Sequence, residues 1–279
     1  MTRYVTPFSM LHAISLLTHT TRIKKFRQAI ERVVTRNSFC IDVGTGSGIL
    51  AILAAKKGAR KVTAIDINAE SLEYAKKSAE RNNVADRIDF VNSHFDDFIP
   101  AEKADVVMCE MLSSMLLIEQ QIPASKAIIK NMLKDDGYLL PSNVSIFITP
   151  VESFFHWNRF IVEDIVFPRV PQTTSKEAVR DLSDLQKLAE FNLQNGQEEM
   201  VIKKTQEFEI DEEGVLHGIV GMFEANLVPE ITLRMEDGWR ELFLPFREAI
   251  EVKSGDILQV DISFTPGKFD SLKLFSRIV

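Results

Sequence analysis

The chain has 279 residues, 45% apolar, 26% charged and 9% aromatic, enough apolar material for a large core that needs no disulfide or metal to fold. Only 12 Gly and 10 Pro occur, and no run of about 18 apolar residues is present, which excludes collagenous, low-complexity and helical membrane-spanning readings. The 40 acidic against 33 basic residues give a net charge of −7, which disfavours non-specific affinity for phosphate backbones and suits a basic partner better. Met1 is not followed by the basic and apolar stretches of a leader, so a soluble cytoplasmic protein of two domains is expected.

In chain order, Phe39 to Val43, Lys61 to Asp66, Arg87 to Asn92 and Asp105 to Glu110 read as strands separated by helix-length segments. A helix from Ser47 to Lys57 stops at Gly58, and Asn68 caps another that runs to about Arg81. That alternation predicts an α/β fold: a doubly wound, Rossmann-like parallel sheet over residues 1–140. After Pro141 the texture changes to short strands without intervening helices. They are Val144 to Val151, Glu207 to Ile210, His217 to Asn226, Ile231 to Met235, Arg240 to Pro245 and Ile257 to Thr265. A mainly antiparallel, β-barrel-like domain over 141–279 is expected, with a helical insertion near 174–194. Cys40 and Cys109 fall in apolar runs, so buried reduced thiols are expected, with no disulfide and no metal site.

The strongest local motif is Asp42-Val-Gly44-Thr-Gly46-Ser-Gly48, placed where a strand turns into a helix. Such glycines let backbone N–H groups approach a ligand, and the helix N-terminus behind them favours negative charge. Ile49 stands where the dinucleotide fingerprint wants its last glycine. Asp66, ending the next strand, can accept hydrogen bonds from ribose hydroxyls. Together these residues resemble the cofactor half of S-adenosylmethionine (SAM)-dependent methyltransferases, over about residues 38 to 140. The resemblance implies that Asp42, Gly44, Gly46, Gly48 and Asp66 hold SAM, with Phe95 and Asp96 at the adenine. His94 reads as a loop residue.

Glu110 ends the fourth strand and Glu119 follows nine residues later. On one continuous helix, nine steps of about 100° place two side chains on opposite faces, so these carboxylates converge only across a bent loop. Two carboxylates beside a methyl donor suit a guanidinium, whose planar fork of donors pairs with them bidentately. Glu110-Met-Leu-Ser-Ser-Met-Leu-Leu-Ile-Glu119 resembles the double-glutamate loop of protein arginine methyltransferases. His12 to Arg22 and Phe26 to Ile30 resemble that family's N-terminal helix region, Leu133 to Pro141 its link into the barrel, and Gly238 to Glu241 and Glu251 to Asp256 its later strands.

The resemblance implies catalytic Glu110 and Glu119, Arg22 at the SAM carboxylate, a protein substrate with an accessible arginine, and a homodimer. It also implies that the first ~35 residues fold over the cofactor. There are departures. The family's Thr-His-Trp loop reads Asp237-Gly238-Trp239, so a histidine that helps order the glutamates is absent. Leu112 replaces a methionine, Tyr4 matches the family's N-terminal tyrosines only loosely, and 169–199 does not clearly match a dimerisation arm.

Two other readings compete. Residues 40 to 84 also resemble ribosomal-protein methyltransferases and some RNA methylases. Cys109-Glu-Met-Leu112, however, is not the Asn/Asp-Pro-Pro-Tyr tetrad of enzymes that methylate planar amino groups, so nucleic acid is secondary. The missing histidine motivates a SAM-binding protein whose catalysis has lapsed. Phe155-His156-Trp157 and His217 read as core residues of the second half.

Overall fold

The computed structural model describes residues 10–196 and 201–279; Tyr4 lies outside the described residues. The first half contains α1 (Met10–Ser15), α2 (Thr20–Val33), β1 (Phe39–Val43), α3 (Ile49–Lys57), β2 (Lys61–Asp66), α4 (Ala69–Arg81), β3 (Ile88–Asn92), β4 (Ala104–Cys109), α5 (Gln121–Asn131) and β5 (Leu133–Leu140). The second half continues with β6 (Asn143–Glu152), α6 (Phe154–Asn158), β7 (Ile161–Val162), β8 (Ile165–Val166), β9 (Gln172–Thr174), β10 (Arg180–Asp181) and β11 (Gln186–Asn192). It ends with β12 (Ile202–Glu209), β13 (Gly214–Val228), β14 (Ile231–Leu233), β15 (Glu241–Val252), β16 (Ile257–Thr265) and β17 (Lys268–Ile278).

The first five strands form a parallel sheet in the order β3-β2-β1-β4-β5, as expected for a doubly wound fold. All five residues of β1 are buried, the signature of a central strand covered on both faces. Helix α3 is buried along Leu50–Ala55, whereas α2 buries only Phe26, Ala29 and Ile30, an i, i+3, i+4 stripe that packs on α3. The Asn68 side chain accepts a 3.0 Å bond from the Ser71 N–H and so caps α4. Strand order reverses between β1 and β4, which opens a crevice at the strands' carboxyl ends.

The second half is antiparallel and half-barrel-like. A seven-stranded sheet runs β10-β6-β13-β15-β9, with β11 on β6 and β14 on β13, beside a three-stranded sheet β12-β16-β17. Phe208, Phe223, Phe243 and Phe264 are among its largest fully buried side chains.

The expected helical insertion near 174–194 is not formed. That stretch contains β10, β11 and two single 3-10 turns, and β11 pairs antiparallel with β6. Local helical composition yields to a partner strand that buries Leu188 and Phe191. His156 and His217 are buried as expected, yet Phe154 and Phe155 project from the surface, so that aromatic cluster is only partly core. Cys40 and Cys109 are buried free thiols, each pushed up by burial, Cys40 to about 12. No helix among the described residues is long and apolar enough to cross a membrane.

Candidate active site

The crevice is a cavity of about 490 Å³, within the usual range for small-molecule sites. Its floor is the turn after β1. Gly44 and Gly46 adopt positive φ (72° and 52°), and the Gly44 and Thr45 N–H groups donate to the Ile65 carbonyl at 2.9 and 3.0 Å. Ala13 of α1 lies over Gly46, at 3.2 Å from where a Cβ would stand, so the N-terminal segment roofs the cavity. Asp66 accepts from the Gly46 N–H at 2.9 Å through Oδ2 and from the Asn68 N–H at 2.8 Å through Oδ1. Each oxygen keeps a further lone pair for a ligand hydroxyl, although burial raises the carboxyl above its ordinary pKa. The carboxylate at the end of β2 and the cavity size fit a nucleoside cofactor.

Asp42 lines the cavity but turns its carboxylate into the loop. Its Oδ2 accepts from the Thr45 hydroxyl at 2.6 Å and from the Ala51 N–H at 3.0 Å, and burial pushes its pKa up to about 7. Phe95 is buried at the cavity wall, with His94 beside it at 4.1 Å between ring centroids. His94, read from sequence as a loop residue, therefore also lines the cavity. Two residues of the expected set are not brought there. Gly48 is the α3 N-cap, where a Cβ would meet that of Ala75 at 2.8 Å, so its smallness serves the packing of α4. Asp96 is exposed, and its N–H donates to His94 Nδ1 at 3.2 Å.

Glu110 stands immediately after β4, and the chain from 111 to 120 is a bent loop rather than a continuous helix. Met115 and Leu116 both take positive φ, 57° and 55°, a costly backbone for side chains of this kind. Ser113 Oγ accepts from the Ile118 and Glu119 N–H groups at 3.2 and 3.0 Å, and Gln121 Oε1 from the Met111 N–H at 2.8 Å. The bend brings both glutamates to the cavity. Arg22 pairs with Glu110 through Nη2 and Oε2, and its Cζ lies 4.8 Å from the ring centroid of Trp239. Burial lowers the Arg22 pKa to about 10 while Glu119 pulls it back up, so the side chain stays cationic at neutral pH. Burial likewise pushes Glu119 up to about 7, opposed by the charge of Arg22.

Sequence reasoning missed the contacts that the barrel loop makes with this machinery. Asp237 Oδ2 accepts from Lys25 Nζ at 2.5 Å, Trp239 Nε1 donates to the Leu112 carbonyl at 2.8 Å, and the Ser114 hydroxyl donates to the Arg240 carbonyl. The motif Asp237-Gly-Trp239 was the available signal, but the partners are more than a hundred residues away in sequence.

Comparison with known proteins agrees with this geometry. Residues 18–144 match the family model described as ribosomal protein L11 methyltransferase (PrmA). An uncharacterized protein of Methanocaldococcus jannaschii, MJ1452, is 32% identical over 86% of this chain and 93% of its own length. Protein arginine N-methyltransferase PRMT10 of Oryza sativa is 33% identical over 58% of this chain, which spans only 43% of that relative's length. A chain of the Trypanosoma brucei PRMT1 enzyme-prozyme heterotetrameric complex with AdoHcy superposes with a TM-score of 0.77 at 18% identity, over 95% of this chain and 96% of that one. Sequence relationship along nearly the whole chain places it in one family with the M. jannaschii protein, and its fold is that of the T. brucei PRMT1 chain.

Proposed function

We propose that this enzyme moves the methyl group of SAM onto an arginine guanidinium of a protein. The observation that carries the reading is that Glu110 and Glu119 face one cavity in which a guanidinium, that of Arg22, is held against Glu110. The two carboxylates receive the acceptor side chain, draw its positive charge away from the attacking nitrogen and orient that nitrogen for in-line displacement. SAM supplies the electrophilic methyl. Asp66 accepts the ribose hydroxyls, the Gly44–Gly46 turn passes beneath the methionine part, Phe95 faces the adenine, and Arg22 serves the cofactor carboxylate. Little base catalysis is needed, because the guanidinium proton becomes acidic only as the new bond forms.

The same reading divides the chain at residues 140 and 141, with the parallel sheet serving the cofactor and the antiparallel half serving the acceptor protein. It works in the cytoplasm, where an acidic enzyme meets basic protein segments. We also assign it a homodimer built on residues 154–170, which expose Phe154, Phe155, Ile165, Val166 and Phe167.

Isotopically labelled methyl from SAM, followed into protein hydrolysates of a mixed cell extract, tests the function. Label should appear in methylarginine with the native enzyme. Glu110→Gln should lose at least ~100-fold of the rate with SAM affinity retained. Label in nucleosides, or equal transfer by the variant, would overturn the assignment.

A further inference from the structure

His19 lies just before α2 and lines the cavity together with Arg22, Glu110, Glu119 and Trp239. Its imidazole rests on Gly238 of the barrel loop. A Cβ built at Gly238 would collide with the His19 ring and lie 2.9 Å from its Cβ, so the ring occupies the space in which a side chain at 238 would begin. This is the position where the resemblance would place a histidine and the sequence has none. An imidazole is therefore present at this corner, delivered by the N-terminal segment instead of by the barrel.

The polar atoms around the contact are informative. His19 Nδ1 is buried and has no hydrogen-bond partner, and the same holds for Oδ1 of Asp237, the residue next to Gly238. Asp237 Oδ2 is fully used, accepting from Lys25 Nζ at 2.5 Å and from the Arg234 N–H at 2.9 Å. A buried polar group without a partner is costly, and these two orphans are complementary, since a neutral imidazole N–H donates and a carboxylate oxygen accepts. Burial and the nearby charge of Arg22 both favour the neutral ring.

We propose that His19 is a positioning residue for methyl transfer. Seated in the gap left by Gly238, it donates from Nδ1 to Asp237 Oδ1 and latches the helix that carries Arg22 onto the loop that carries Trp239. The bond is made in the liganded site, and it fixes α2, which carries Arg22, against the loop that carries Trp239. His19 itself touches neither the methyl group nor the attacking nitrogen. The proposal rests on the methyltransferase reading of the site.

Three substitutions separate the nitrogen from the bulk of the ring. His19→Phe keeps the packing on Gly238 without Nδ1, His19→Asn retains a polar donor close to the Nδ1 position, and Asp237→Asn changes the partner. His19→Phe should lower kcat by ~10-fold or more while the KM for SAM moves by less than ~3-fold, and His19→Asn should recover part of the loss. Combining His19→Phe with Asp237→Asn should be no worse than Asp237→Asn alone, because that change, which also removes the charge paired with Lys25, already breaks the bond that His19→Phe removes. Wild-type kcat in His19→Phe, or losses that multiply in the double variant, would overturn the proposal.

A second readout needs no acceptor. With S-adenosylhomocysteine bound, amide exchange across residues 20–33 should be faster in His19→Phe than in the native protein. Unchanged exchange overturns the latch. Failure of the native enzyme to methylate an arginine peptide would instead sink the choice of acceptor and leave the exchange result to decide on His19.

Discussion

At the scale of single residues, two buried carboxyls set the pH behaviour. Glu119 is pushed up to about 7 by burial, so near neutrality it is divided between its acid and its carboxylate, and only the carboxylate attracts a cationic acceptor. The kcat/KM for an arginine peptide should therefore fall about tenfold per unit as pH drops below about 7 and level off above it, which a pH–rate profile reads directly. A flat profile across this range would remove Glu119 from acceptor binding.

Asp42 affects stability instead. Its folded pKa is raised to about 7 by burial, and both of its hydrogen bonds go to Oδ2, which leaves Oδ1 to carry a proton. The folded state then binds more protons than the unfolded chain between the ordinary carboxylate range and about 7. The stabilising contribution is complete below that range and is lost as pH rises through about 7. Asp42→Asn should flatten this decline, leaving the variant's melting temperature less dependent on pH between about 4 and 8 than that of the native protein.

At the scale of elements, the glutamate loop is shaped by a strand from the other half of the chain. Gly221 on β13 faces Met115, and a Cβ there would overlap the Met115 side chain, which is fully buried. Gly221→Ala must displace the buried Met115 side chain, and with no room around it that strains the bend between Glu110 and Glu119. The substitution should cost roughly 1–3 kcal/mol of stability. It should also lower kcat by more than ~10-fold with little change in SAM affinity. Thermal unfolding and cofactor titration of one preparation check both, and native kcat would mean that β13 does not set the bend.

Elements were legible in sequence wherever a local signal coincided with the final packing. Ile257 to Thr265 and the first two strands of the parallel sheet match residue for residue, and Asn68 marked the start of α4 because its capping bond is made three residues away. Strand β11 was hidden. The register shift between Lys187 and Ala189 breaks the two-residue alternation of Gln186–Asn192, so its buried residues do not fall into a strand pattern. The alignment of Glu110 with Glu119 was legible as the need for a bend, but the left-handed residues and the Gly221 contact that create the bend were not. Gly48 and Asp96 do not line the cavity: the glycine motif records which residues make the turn, not which of them face inward, and the position of Asp96 after β3 does not show which way its side chain turns.

At the scale of the whole molecule, the parallel sheet, the antiparallel half and the N-terminal helices meet around one crevice. The hairpin of β7 and β8 leaves Ile161, Val162, Ile165 and Val166 all exposed. The homodimer proposed above covers these apolar side chains. Ile165→Glu combined with Val166→Glu should convert a dimer into a monomer in sedimentation velocity without unfolding it; a native protein that sediments as a monomer at micromolar concentration refutes the assembly.

Four consecutive residues of the barrel loop grip different parts of the site: Asp237 takes Lys25, Gly238 seats His19, Trp239 binds the Leu112 carbonyl and stacks on Arg22, and Arg240 receives Ser114. One short segment is thus mechanically shared by the N-terminal helices over the cavity and the loop between Glu110 and Glu119. On the proposed function, ordering this segment for one ligand lowers the cost of ordering it for the other, and donor and acceptor then raise each other's affinity by one common factor, whichever arrives first.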